Sequence, residues 1–421
     1  MGSFSSLLGI IVILSLINAQ SFQSPSSEST CDCQGIKITV GTQSYMKHEA
    51  QRGENYISIE EPFVRLSDFP QFSATLAEAR NTNRLFQSGV PLQDHEAVIL
   101  AGAFNDLLNL THLELYLSGE AGFLAIAEGL SNLRSLEYLS LRWDPLSPPR
   151  LQIIATALRS WHSLALQEVK LRGNNLGSIL DSLPRHITSL HLHYSNEDDM
   201  RHPDALPSNF PYLYALQISL PETTRDNHPE HNTDNIVDAL GEALVTLQGL
   251  SDLTLSHVSL GEAGGRMLAT LILPRLHRLR TLTLTSTSLG DKGIIALSSV
   301  IVPPRLTTLS LRHNNIGDSG AQALAHALRA PFNKVATLRL SHNSIGDSGA
   351  RALAAVFTRG HSVTECHLDS NRIGDIGALA LVAATQAMTK VYLAYNPIDS
   401  LTVFKQAQEL GFVLHPKLHF F

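Results

Sequence analysis

Leu306-Thr307-Thr308-Leu309-Ser310-Leu311-Arg312-His313-Asn314-Asn315-Ile316-Gly317-Asp318-Ser319-Gly320-Ala321 is written again, nearly residue for residue, as Val335-Ala336-Thr337-Leu338-Arg339-Leu340-Ser341-His342-Asn343-Ser344-Ile345-Gly346-Asp347-Ser348-Gly349-Ala350. The copies are 29 residues apart. Self-similarity at such a period marks a stacked solenoid, in which each unit buries its apolar face against its neighbours. Within a copy the period changes. Leu309 and Leu311 alternate with Thr308, Ser310 and Arg312, as in a strand with one buried face. Ala321, Leu324, Ala325 and Leu328 then fall at helical spacing and form one apolar stripe. Asn314 stands where the chain must turn, with an amide suited to backbone groups the turn leaves unpaired. Asp318 is placed to cap the helix that follows it. Asp347 with Ala350, Leu353 and Ala354 repeats the scheme, and Asp375 with Ala378, Leu379 and Leu381 does so in a shifted register.

The second leucine of Leu-x-Leu can be followed through Leu115, Leu141, Leu171, Leu192, Ile218, Leu255, Leu284, Leu311, Leu340, Leu368 and Leu393. The 37-residue step from Ile218 to Leu255 holds a polar, proline-broken insertion at 221–232. Helices are about 10 Å across and strands about 4.8 Å apart, so strands stacked on one side with helices on the other must curve. The expected fold is α/β, a horseshoe-shaped solenoid with an inner parallel sheet and outer helices.

The repeat resembles the leucine-rich repeat family, in particular its ribonuclease-inhibitor-like subclass, whose units read Leu-x-x-Leu-x-Leu-x-x-Asn-x-Ile-Gly-Asp-x-Gly-Ala-x-x-Leu. The likeness is densest at 250–400 and can be traced from 108, giving about eleven repeats over 108–400. It departs where Ser118, Asp144, Ser195, Val258 and Thr287 replace Asn and Cys366 replaces Leu. The resemblance implies recognition of a protein ligand on the concave face and the loops beside it. It does not transfer a target, since ribonuclease inhibitors are cysteine-rich and this chain has 3 cysteines.

Leu7 to Ile17 is an uncharged apolar run followed by Asn18-Ala19-Gln20, which reads as a signal peptide over 1–19. Residues 20–34 form a flexible Ser-rich segment. Residues 35–107 form an N-terminal capping region with room for a first irregular repeat. It contains alternating runs at Ile36–Val40 and Tyr56–Ile59 and helical patterns at Phe72–Arg80 and His95–Leu108. Residues 401–421 form a C-terminal cap. The chain is expected to be secreted, with Asn109-Leu110-Thr111 as a glycosylation acceptor at Asn109. No other stretch is long and apolar enough for a membrane helix, so no stable insertion is expected after cleavage. The competing reading takes Met1-Gly2-Ser3-Phe4-Ser5-Ser6 as a myristoylation pattern and places the chain in the cytoplasm. Cys31 and Cys33 can bridge locally or to another chain, and Cys366, at an inward leucine position, reads as a buried free thiol.

Residues of period two share a face, so the outward strand positions can be read directly. The first four rows are His112, Glu114, Tyr116; Tyr138, Ser140, Arg142; Glu168, Lys170, Arg172; and Ser189, His191, His193. Later rows are mostly Thr and Ser, as in Thr281, Thr283 and Thr285. Aromatic and arginine side chains dominate binding when enclosed. The expected protein-binding patch is therefore Tyr116, Tyr138, Arg142, Lys170, Arg172, His191 and His193, with Trp143 and Tyr194 just beyond. Its positive groups suit an acidic protein surface or a sulfated glycan. The loops carrying Glu197, Asp198, Asp199, His202, Asp204, Asp226, His228, Glu230 and His231 offer groups that could take a divalent cation, but their irregular, proline-broken spacing favours a polar surface loop without a ligand. No cofactor, metal or catalytic residue is expected, since Gly-rich phosphate loops, Gly-x-Ser-x-Gly and His-Glu-x-x-His are absent. A formal net charge of −7 argues against nucleic acid. The leading function is a secreted, inhibitor-like recognition protein without chemistry of its own. The alternatives are an intracellular regulator similar to GTPase-activating leucine-rich repeat proteins, although the acidic tail of that group is missing, and a secreted hydrolase.

Overall fold

The computed structural model describes residues 29–33, 36–43, 54–60, 83–88, 91–144, 164–174, 176–196, 198–200, 206–207, 210–222, 234–299, 303–330, 333–357, 362–384, 390–409 and 418–419. The chain forms two compact units, Met1–His193 and Tyr194–Phe421.

The first unit opens with three antiparallel strands, β1 (Ser29–Cys33), β2 (Ile36–Gln43) and β3 (Glu54–Glu60). The alternating runs at Ile36–Val40 and Tyr56–Ile59 lie within β2 and β3. β4 (Arg84–Ser88) then pairs with β3 in parallel. β5 (His112–Leu117), β6 (Tyr138–Trp143), β7 (Glu168–Gly173) and β8 (Ser189–Tyr194) follow in chain order. Three helices are described here, α1 (Asp94–Ala103), α2 (Glu120–Gly129) and α3 (Gly177–Leu180). The helical pattern at His95–Leu108 yields α1 and then turns, and the one at Phe72–Arg80 lies outside the described residues, as do 1–19. Register sets Leu113, Leu139 and Val169 side by side, with Leu115, Leu141 and Leu171 as a second row. All six are buried.

The second unit repeats one motif more regularly. Its strands are β9 (Ala215–Ser219), β10 (Asp252–Ser256), β11 (Thr281–Thr285), β12 (Thr308–Ser310), β13 (Thr337–Arg339), β14 (Glu365–His367), β15 (Lys390–Tyr392) and β16 (Leu418–His419). Each is parallel to the next. The helices are α4 (Asp234–Thr246), α5 (Gly261–Met267), α6 (Gly290–Ser298), α7 (Asp318–Leu328), α8 (Asp347–Phe357), α9 (Asp375–Ala384) and α10 (Ser400–Glu409). A π-helical turn, Leu268–Ile272, extends α5. Leu253, Leu282, Leu309, Leu338, Cys366 and Val391 align across the strands and are buried. Each fully buried leucine contributes about 1.5–3 kcal/mol. Cys366 is a free thiol in that column, and burial pushes its pKa up, so it stays neutral packing. The fold is thus an α/β leucine-rich-repeat solenoid. The stripe of α9 departs from expectation: Ala378, Leu381 and Val382 are buried while Leu379 is not, because the helical spacing runs from Ala378.

Two side-chain ladders tie successive repeats together from β11 onward. Asn343 Oδ1 accepts from the backbone N–H of Asn314 at 2.9 Å and of Ile316 at 3.0 Å, while its Nδ2 donates to the carbonyls of Leu311 and Leu340, both at 2.9 Å. Asn314, Asn371 and Asn396 do the same for their neighbours. Buried backbone donors are thereby satisfied by side chains where the turn offers no strand partner.

The aspartates also act between repeats, which corrects the expectation that Asp318 caps its own helix. Asp318 is the first residue of α7, and Gly317, at the cap, makes no side-chain cap bond. Asp318 Oδ1 instead accepts from Gly346 N and Gly349 N, both at 2.8 Å, at the start of α8. Asp291 serves Gly317 and Gly320 in the same way, and Asp347 serves Gly374 and Gly377. A carboxylate at the next helix's N-terminus meets unpaired N–H groups and the positive end of the dipole. The glycine of Gly-Asp-x-Gly follows from this approach: a Cβ on Gly320 would sit 2.7 Å from Asp291 Oδ1.

Candidate functional site

β5, β6 and β7 hold the expected patch in flat rows, because in-register parallel strands stack residues of equal depth about 4.8 Å apart. Tyr116, Arg142 and Arg172 form one row; Glu114, Ser140 and Lys170 the next; His112, Tyr138 and Glu168 the third. β8 carries His191 and His193 on partly exposed positions.

These side chains hold one another. The Arg142 guanidinium carbon lies 4.0 Å over the Tyr116 ring, and the Tyr116 hydroxyl donates to Asp144 at 2.8 Å. The Lys170 ammonium lies 4.9 Å over the Tyr138 ring and 3.2 Å from Glu168. The Tyr138 hydroxyl donates to Glu114 at 2.7 Å, and its ring stacks on His112 with centroids 5.4 Å apart. Cations over aromatic faces are worth about 0.5–2 kcal/mol each, so the arrangement is preset.

The electrostatics differ along the rows. Burial and hydrogen bonds to Asp144 and Glu114 hold the Tyr116 and Tyr138 hydroxyls above the usual tyrosine value, so both remain neutral donors. Burial lowers the Lys170 pKa, but Tyr138 and Glu168 outweigh it and hold the ammonium above its ordinary value. Burial, then the Arg142 charge beside it, lowers the Arg172 pKa. Burial and Lys170 hold His191 below 6.5, with Glu168 at 4.0 Å opposing them. Among the described residues no carboxylate pairs with Arg142 or Arg172. Two exposed guanidinium groups therefore stand side by side without a carboxylate in ion-pair contact among the described residues.

Two expected site residues do not belong to this face. Trp143 is 4% exposed and Tyr194 0% exposed. Odd positions of β6 point inward with Leu139 and Leu141, so Trp143 turns to the core and meets the Phe123 ring edge-on at 5.1 Å. Gly173 lies against its indole so closely that a Cβ there would collide with it. Tyr194 continues the inward set of Leu190 and Leu192. Four supporting residues were not singled out from sequence: His112, Glu114 and Glu168, although period two put them on this face, and Asp144, visible only as a substitute for the turn asparagine. Asn109 is exposed in the turn before β5. Glu197, His202, Asp204 and residues 223–231 of the acidic, His-rich loops lie outside the described residues. Among the described residues no cluster of three His, Cys, Asp or Glu is placed to hold a metal, and no helix is long and apolar enough to cross a membrane.

A family model described as Leucine Rich repeat matches residues 276–298, 304–325, 333–354 and 361–382. No curated protein matches the chain. Similar solved structures include an internalin, inlF, from Listeria monocytogenes, at 18% identity over 78% of this chain and 85% of that one, with a TM-score of 0.43. A Toll chain from the Drosophila Toll–Spatzle complex has 14% identity over 92% of this chain and 56% of that one, with a TM-score of 0.47. TLR13 in complex with ssRNA13 has 16% identity over 70% and 47%, with a TM-score of 0.38. The chain thus spans about half the length of the Toll and TLR13 chains. The family model thus matches four successive strand–helix repeats of the second unit, between 276 and 382.

Proposed function

We propose that the chain is a secreted recognition protein, of the ribonuclease-inhibitor-like subclass by its long repeats, that captures an acidic protein surface on the strand face of its first unit. One observation carries this reading: Arg142 and Arg172 are adjacent, exposed and unpaired among the described residues, beside the ring of Tyr116. A carboxylate docking between them relieves their mutual repulsion and forms charge-assisted, bidentate hydrogen bonds. The hydrogen-bonded tyrosines lose little conformational entropy on contact, which favours binding by a preset surface. Secretion is supported by the apolar run Leu7–Ile17 with Ala19 after it. This reading assigns the face no chemistry of its own, and takes the contact of Ser189 Oγ with His191 Nε2 at 3.3 Å, beside Glu168 at 4.0 Å, as part of the preset polar surface.

The test is capture from extracellular fluid by immobilised mature chain, followed by affinity measurement on the captured protein. Arg142→Ala and Arg172→Ala should each weaken it at least about tenfold, or 1.4 kcal/mol. Unchanged affinity in both variants removes this face as the binding site.

A further inference from the structure

The second unit carries another surface, at the end of its sheet where the strands begin. The residues just before β9, β10, β11, β12 and β13 are Tyr214, Ser251, Arg280, Thr307 and Ala336, and the carbonyl of each accepts two backbone N–H groups from the next repeat. These positions therefore form one row. Two residues earlier a parallel row reads Tyr212, Gly249, Arg278, Arg305, Lys334, and between the two rows Leu213, Leu250, Leu279, Leu306 and Val335 are buried. Tyr212 is 68% and Tyr214 49% exposed, and Arg278, Arg280, Arg305 and Lys334 are all exposed.

The sign of this rim is uniform in a chain of net charge −7. No Asp or Glu occurs at 211–214, 249–251, 275–280, 303–307 or 333–336. Among the described residues no carboxylate forms an ion pair with Arg278, Arg280, Arg305 or Lys334. Fold requirements do not explain them. Arg275, by contrast, donates to the Leu271 carbonyl at 2.6 Å and so closes a helix end. Successive rim cations advance with the strands, at about 4.8 Å per repeat, so like charges stand on neighbouring repeats.

We propose that this rim binds a sulfated polysaccharide, with sulfates along Arg278, Arg305, Lys334 and Arg280 and a sugar ring against Tyr212 or Tyr214. The row is linear and exposed, which suits a flexible polymer of dense charge held by counterion release more than a folded protein surface needing enclosed anchors. Single-stranded nucleic acid is recognised by aromatics interleaved with cations along a groove. Here both tyrosines stand together at one end, and the cations run on beyond them without an aromatic.

Retention of the full chain on immobilised heparin, against chemically desulfated heparin, tests the proposal. The expected result is sulfate-dependent binding that weakens steeply with salt and falls at least about tenfold in the triple variant R278S/R305S/K334S. R278K/R305K, which keeps the charge, should bind within about twofold of the parent, and R266S/K292S, which removes charge from α5 and α6 instead, should do likewise. Loss in Y212S/Y214S without a change in salt slope supports the ring contact. Equal binding to desulfated heparin, unchanged binding of the triple variant, or equal loss in R266S/K292S overturns it. So does displacement by polyuridylate or polyglutamate at concentrations no higher than those of heparin.

Discussion

Replacing Trp143 by alanine empties a core position against Phe123 and Gly173, and should cost about 3–5 kcal/mol in urea unfolding. Trp143→Phe should cost under about 1.5 kcal/mol, because the buried indole N–H has no hydrogen-bond acceptor among the described residues to lose. If Trp143→Phe instead removes partner binding at unchanged stability, the residue belongs to the contact face after all. His191 behaves differently, since its depressed pKa couples it to pH. Below 6.5 the unfolded chain's imidazole takes a proton that the folded one resists, so stability falls as pH drops through 6.5 toward the folded value. Thermal melts at pH 7.5 and 5.5 should show a larger loss for the parent than for His191→Gln. An equal loss in the two would mean that other groups set the acid response.

At the scale of the element, helix starts in the second unit are held by a neighbour's carboxylate. Asp318→Ala removes two charge-assisted bonds to the start of α8, and should destabilise by about 1.5–3 kcal/mol, measured by urea unfolding. Asp318→Asn retains an acceptor oxygen and should lose less. A loss under about 0.5 kcal/mol for the alanine variant would show that water replaces the carboxylate without cost. The same element shows why sequence reading placed this bond wrongly. An aspartate beside a helix start fits a local cap and a cap for the next repeat equally well, and the stacking distance between repeats decides between them. Asn343 is the parallel case: its use at a turn was legible, but its bonds to Asn314 and Ile316 exist only once the repeats are in register.

For the whole molecule, the proposal of secretion makes a joint prediction with Asn109. Expressed in a glycosylating host, a C-terminally tagged chain should appear in the medium and lose mass on glycosidase treatment, and Asn109→Gln should abolish that shift. Retention inside the cell with unchanged mass would remove both ideas. The two surfaces separate by unit: Arg142 and Arg172 lie in Met1–His193, and the cationic rim lies in Tyr194–Phe421. Substitutions on one should leave the ligand of the other unaffected if each unit presents its surface independently.

The 29-residue self-similarity, the switch from period two to helical spacing and the inward leucines were enough to determine the repeat, the solenoid and which strand residues face outward, because these follow from local periodicity and from burial that each unit cannot achieve alone. Residue type alone could not place Trp143 and Tyr194, since aromatics serve cores and contact faces alike, and only the position in the strand separates the two. Tertiary structure alone decided which groups meet across repeats: Tyr116 with Asp144, Lys170 with Tyr138, Asp318 with Gly349, and the alignment of Arg278, Arg305 and Lys334. Such contacts join residues a full repeat apart, and their geometry is fixed by strand register, which a single repeat read by itself does not contain.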